Sequence, residues 1–131
     1  MTRKSSRKWQ KILSSIKLIP LLIGIGSFFI AHVLTFFQLN GQFLYKSFQK
    51  HEWAVAAAGV ILSFFYIWGT KYTVEAFSGL LWPGRFIGFG VGMVVYAIMV
   101  SYFFNEGINL KTMTSLILAT GLVCVQVFWK V

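Results

Sequence analysis

Residues 85–107 read RFIGFGVGMVVYAIMVSYFFNEG. With Gly84 just ahead, Gly88 and Gly92 recur at every fourth position, and the apolar run ends at Asn105, Glu106 and Gly107. In water this would be a poor helix, because an interior glycine costs about 1 kcal/mol relative to alanine. In a bilayer solvent cannot compete for the backbone hydrogen bonds, and small residues at i and i+4 let two helices approach closely. The stretch therefore predicts a membrane helix built to be packed against, with Gly84, Gly88 and Gly92 as its contact ridge.

The composition agrees. The chain has 131 residues, of which 57% are hydrophobic and 11% charged. A soluble domain carries about 25% charged residues, more than twice as many. Four stretches approach the ~20 apolar residues needed to cross a hydrocarbon core: 18–39, 53–70, 86–104 and 112–129. The connections between them carry Lys46, Lys50 and Glu52, then Lys71 and Glu75, then Glu106 and Lys111. The expected fold class is all-α, an integral membrane bundle of four transmembrane helices spanning residues 18–131. It is preceded by a basic amphipathic segment, 1–17.

In that segment Trp9, Ile12, Leu13 and Ile16 fall at i, i+3, i+4 and i+7, while Lys8, Lys11 and Lys17 point elsewhere. Such a pattern suits a helix lying in the membrane interface, the alternative being a disordered basic tail. The first span is too long for a cleavable signal and is read as an uncleaved anchor. Twelve Lys and Arg face three acids, a net charge of +9. Half of those cations lie in the first seventeen positions, beside a hydrophobic span. That placement points to the lipid bilayer and its anionic headgroups as partners, not to nucleic acid.

Orientation follows from the cations. With the N terminus inside, Arg3, Lys4, Arg7, Lys8, Lys11, Lys17, Lys71, Arg85 and Lys130 fall on the cytoplasmic side, against Lys46, Lys50 and Lys111 outside. Both termini are expected to be cytoplasmic, in a membrane such as the bacterial inner membrane.

Polar residues within the spans gather on narrow stripes at 100° per residue. Gly24, Ser27, Ala31, Thr35 and Gln38 share one face of the first helix. Glu52, Ala56, Gly59, Ser63, Tyr66 and Thr70 share one face of the second, and Thr112, Ser115, Ala119 and Gln126 one face of the fourth. Such stripes serve helix packing, or they line a polar pathway. His32, flanked by Phe28, Phe29, Thr35 and Phe36, is the ionisable group deep within a span apart from the Cys124 thiol. An intramembrane histidine is a functional candidate that can shuttle protons, or a neutral side chain bonded to a neighbouring helix. His32, Thr35, Gln38, Ser63, Tyr66 and Glu75 are the candidate pathway residues. Gly84, Gly88, Gly92 and Ala119 are the candidate packing residues. Glu75 sits either at a cavity mouth, with Arg85 as partner, or in a solvated loop, and Trp82 and Pro83 mark an interfacial turn before the third helix.

Catalysis has no support in the sequence. It offers no acid pair, no His/Cys spacing for a metal and no nucleophile set, so neither an enzyme nor a cofactor is expected. The GFGVG run at 88–92 follows no strand and is no dinucleotide loop. Cys124 alone makes neither an internal disulfide nor a metal site.

The run YAIMVSYFFNEGINLKTMTSLILATGLVCVQ after Gly88, Gly90 and Gly92 resembles the last two helices of the small multidrug resistance proteins, within the drug/metabolite transporter superfamily. The aromatic run with Phe103 and Phe104, then Glu106 and Asn109, matches the family's third-helix exit, and Ala119, Thr120 and Gly121 its fourth-helix small-residue patch. EWAVAAAGVILSFFYIWGTKYTVEAF and LLIGIGSFFIAHVLTFFQLNGQF are similar to the second and first helices. The family's first-helix glutamate position falls here on Ile30 or Ala31, leaving His32 as the nearest ionisable group. The resemblance implies a small transporter moving a small organic or amphipathic solute. Because four helices enclose little volume, it would act as a homodimer or heteromer, with the fourth helix as a candidate interface. A non-transporting subunit of a larger membrane complex and a holin-like pore are the competing expectations.

Overall fold

The computed structural model describes residues 16–129. The amphipathic segment 1–17 lies almost wholly outside the described residues, and so does Lys130. Six helices follow in order: α1 (Leu18–Leu44), α2 (Lys46–Lys50), α3 (Glu52–Ala57), α4 (Gly59–Ala76), α5 (Leu81–Phe103) and α6 (Leu110–Phe128). No strand occurs among the described residues. The fold is an all-α bundle with four helical stretches long and apolar enough to span a membrane: α1, α3 with α4, α5 and α6.

All four spans differ in length from the sequence expectation, each for a local reason. α1 runs five residues past Leu39, because Asn40 and Gln42 do not cap it. Their amides instead donate to the carbonyls of Phe36 (3.1 Å) and Leu39 (2.9 Å), satisfying the helix they might have ended. The second span is interrupted at Ala58, and α4 then continues through Lys71 and Glu75 to Ala76. That extension is held by burial, since Thr73 and Ala76 are both 0% exposed. Trp82 and Pro83 lie inside the first turn of α5, not ahead of it. Proline fits a first turn because its missing N–H has no intrahelical partner there. α6 starts two residues early, at Leu110, where the Asn109 side chain accepts from the Thr112 N–H at 2.9 Å as an N-cap.

α4 closes with a Schellman motif. Gly79 N–H donates to Val74 O (2.8 Å) and Ser78 N–H to Glu75 O (3.2 Å). Ser78 is left-handed there, at φ 56°.

α1 is the hub, packing on both α4 and α5, while α6 rests mainly on α5. The α1–α4 contact is reciprocal: Gly24 faces Thr73, and Gly69 faces Phe28. The outer surfaces expose large apolar side chains along the spans, among them Val60, Ile61, Ile98, Ile117 and Leu118. In water such a surface would be an aggregation liability, whereas against lipid tails it is ordinary. The chain is an integral membrane protein.

Candidate functional site

The three tightest helices meet at His32. Its imidazole lies on the glycine ridge of α5, where a Cβ on Gly92 would stand 2.6 Å from the ring Cε1. This absence of a side chain lets Nε2 reach the Gly88 carbonyl at 2.9 Å. On the far side of the ring, the Tyr66 hydroxyl of α4 lies 3.4 Å from Nδ1 and 2.7 Å from Thr35 Oγ1. The His32 and Tyr66 rings meet edge to face at 88°, with centroids 5.4 Å apart.

These distances assign the protons. A carbonyl oxygen only accepts, so Nε2 carries the hydrogen and donates to Gly88. In the neutral imidazole Nδ1 is then the acceptor. Tyr66 donates to it, and Thr35 donates to Tyr66. The result is a directed relay from Thr35 through Tyr66 and His32 to the α5 backbone, which ties α1, α4 and α5 together at mid-span. Because both hydroxyl oxygens donate or accept, the order of the two hydroxyls reverses when Nδ1 takes a proton.

Below the relay, the packing is set by a residue the sequence did not single out. Phe28 is 5% exposed and fills the space left by two glycines. A Cβ on Gly69 would lie 2.7 Å from its Cδ1, and one on Gly88 3.1 Å from its Cζ. Thr73 was missed too. It is fully buried, its hydroxyl donates to Gly69 O at 2.8 Å, and a Cβ on Gly84 would come within 2.7 Å of its Oγ1. A signal was available, because Tyr66, Gly69 and Thr73 fall at i, i+3 and i+7.

The other candidates separate from the relay. Gln38 donates to Val55 O at 3.2 Å, beside the interruption at Ala58. It lines an apolar groove of about 410 Å³ with Leu34, Phe37 and Ile61. Ser63 is exposed on α4, its hydroxyl turned back to Gly59 O at 2.8 Å. Glu75 and Arg85 are exposed and make no ion pair among the described residues. Gly84, Gly88 and Gly92 all sit at helix contacts, and Ala119 is 7% exposed on α6. A larger apolar groove of about 610 Å³, lined by Phe29, Val94, Ala119 and Cys124, opens between α1 and α6 over α5. No group of three metal-ligating side chains occurs among the described residues.

Comparison of the chain with protein-family models, with curated proteins and with solved structures finds no match.

Proposed function

We propose that this protein is a small membrane transporter of the drug/metabolite type, moving a small organic or amphipathic solute as a dimer or with a membrane partner. The observation that carries the reading is the relay. Polar side chains are costly at mid-span, and those that three helices share there are the groups a transport cycle can rearrange. His32, Tyr66 and Thr35 form the polar centre of the proposed pathway. Gln38 stands toward the other end of α1, where it satisfies a carbonyl beside a broken helix, a type of element that lines cavities in transporters. Ser63 and Glu75 fall outside this centre, and Ser63 reaches a pathway only if a second subunit covers α4. The proposed setting is a bacterial inner membrane with both termini cytoplasmic, as the cation distribution supports.

One observation favours a second reading, a non-transporting subunit. Among the described residues no buried side-chain N or O lacks a hydrogen-bond partner. A relay so complete serves as an interhelical clasp without moving anything.

Solid-supported-membrane electrophysiology on the purified chain in liposomes separates the two. Proton gradients and a panel of cations, amino acids, polyamines and metabolites are applied to the parent, His32→Ala and Tyr66→Phe. A saturable, substrate-specific current altered by both variants is the expected result. A flat response from folded, oriented protein, together with a partner copurifying at fixed stoichiometry, would replace transport by the subunit reading.

A further inference from the structure

Three stretches far apart in sequence meet at the end of the bundle where the described chain starts and finishes. Lys17 N–H donates to Ala76 O at 3.1 Å, fastening the entry of α1 to the end of α4. Ile16 packs beside the cluster of Ala76, Phe77 and Ile87. Between these residues and the last turn of α6 lies a groove of about 550 Å³, lined by Ile16, Phe77, Leu81, Trp82, Gln126 and Trp129 among others. Its volume is that of a small-molecule site, with an apolar wall and a few polar groups, here the Gln126 amide and the Ser78 hydroxyl. Trp82 is 68% exposed and Trp129 71%. Indoles placed like this at span ends sit at the level of lipid headgroups.

The sequence leading into and out of this end is strongly basic. Arg3, Lys4, Arg7, Lys8 and Lys11 precede Ile16 in sequence, Lys17 adjoins it, and Lys130 follows Trp129. Lys71 and Arg85 are exposed on the helices of the same end, with Glu75 as its acid. Arg85 stands three residues after Trp82, on the same side of α5. The opposite end carries Lys46, Lys50 and Lys111 against Glu52 and Glu106.

We propose that this groove seats one anionic phospholipid, with an acyl chain along Phe77, Leu81 and Trp82 and its phosphate toward Lys17 and Arg85. Charge complementarity selects that occupant. A second copy of the chain would bring the same cations to the same place, and a zwitterionic lipid would leave them uncompensated. The site is more than the diffuse attraction of a polybasic tail to an anionic surface, because it adds an apolar seat whose lining residues Ile16 and Pro83 are followed within two positions by the exposed cations Lys17 and Arg85. It does not depend on the transport reading.

The test uses tryptophan quenching by brominated lipids. In full-length protein carrying Trp9→Phe, Trp53→Phe and Trp68→Phe, the emission comes from Trp82 and Trp129. The protein is reconstituted in vesicles of phosphatidylcholine with rising fractions of brominated phosphatidylglycerol, or of brominated phosphatidylcholine as reference. Phosphatidylglycerol is expected to bind at least about fivefold more tightly. Lys17→Gln with Arg85→Gln should bring that ratio near one, while Lys4→Gln with Lys8→Gln should leave most of it. Lys17 and Arg85 are both exposed, so their replacement leaves the packed core intact. Equal quenching by the two lipids would overturn the proposal. So would a preference lost in the Lys4/Lys8 pair and kept in the Lys17/Arg85 pair, which would reduce it to tail attraction. Weak quenching by either lipid would mean that protein fills the groove, and would overturn it as well.

Discussion

Gly92 and His32 are one feature seen from two helices. A methyl on Gly92 has nowhere to go except into the ring, so Gly92→Ala displaces the imidazole from the Gly88 carbonyl. The expected cost is about 1–3 kcal/mol, typical of overpacking a filled interior, read as a lower unfolding midpoint in mixed detergent. Tyr66→Phe is milder. It removes the donor to Nδ1 and the acceptor for Thr35 but keeps the ring that packs on Phe28. A loss of about 0.6 kcal/mol is expected, the average for an interhelical membrane hydrogen bond. The proton assignment has its own check. His51→Gln leaves His32 as the sole histidine, and ¹⁵N NMR of histidine-labelled protein should then report Nε2–H with bare Nδ1 in the neutral form. The opposite tautomer would dissolve the relay as described. In the sequence, His32 and the glycines were each recognisable, but their pairing was not. Nothing in a linear chain says which glycine faces which ring.

At the scale of elements, helix ends carried most of the differences. Apolar length locates a span well, because about 20 residues are needed to cross the core whatever surrounds them. The ends depend on single hydrogen bonds and on burial. Asn109→Ala should destabilise the start of α6 by about 1 kcal/mol, the usual value of an N-cap, visible as faster amide exchange at Thr112 and Met113. Ser78→Gly should act the other way, by up to about 1 kcal/mol, since glycine takes the left-handed cap position without a Cβ penalty. α4 illustrates why its terminus was hard to place. Lys71 and Glu75 read as a loop, yet Thr73 between them and Ala76 just after are fully buried in the bundle. Helical packing put the charges outside and kept the helix going.

For the whole molecule, the arrangement is a tight three-helix core of α1, α4 and α5 with α6 laid along α5. Gly90 of α5 faces Val123 of α6, and most of the remaining α6 surface, including Leu118 and Leu122, stays uncovered. The orientation proposed from the cations is tested by cysteine accessibility. In a Cys124→Ser background, Ser78→Cys should react with an impermeant maleimide from the cytoplasmic side alone, and Gly107→Cys from the opposite side alone. The reverse pattern would turn the molecule over and move the groove beside Trp82 to the other leaflet.

The sequence by itself determined the class of protein, the number of spans and the small-residue ridge on α5, because each depends on side-chain apolarity and volume read along one helix. Tertiary structure decided which of the polar residues act together. His32, Thr35 and Tyr66 converge, while Ser63 and Glu75 turn outward, although Ser63 shares a stripe with Tyr66. A helical stripe is about 100° wide and contains several polar residues. Which of them touches a neighbour depends on the crossing of a second helix, set here by Phe28 and Thr73 lying against bare glycine backbone.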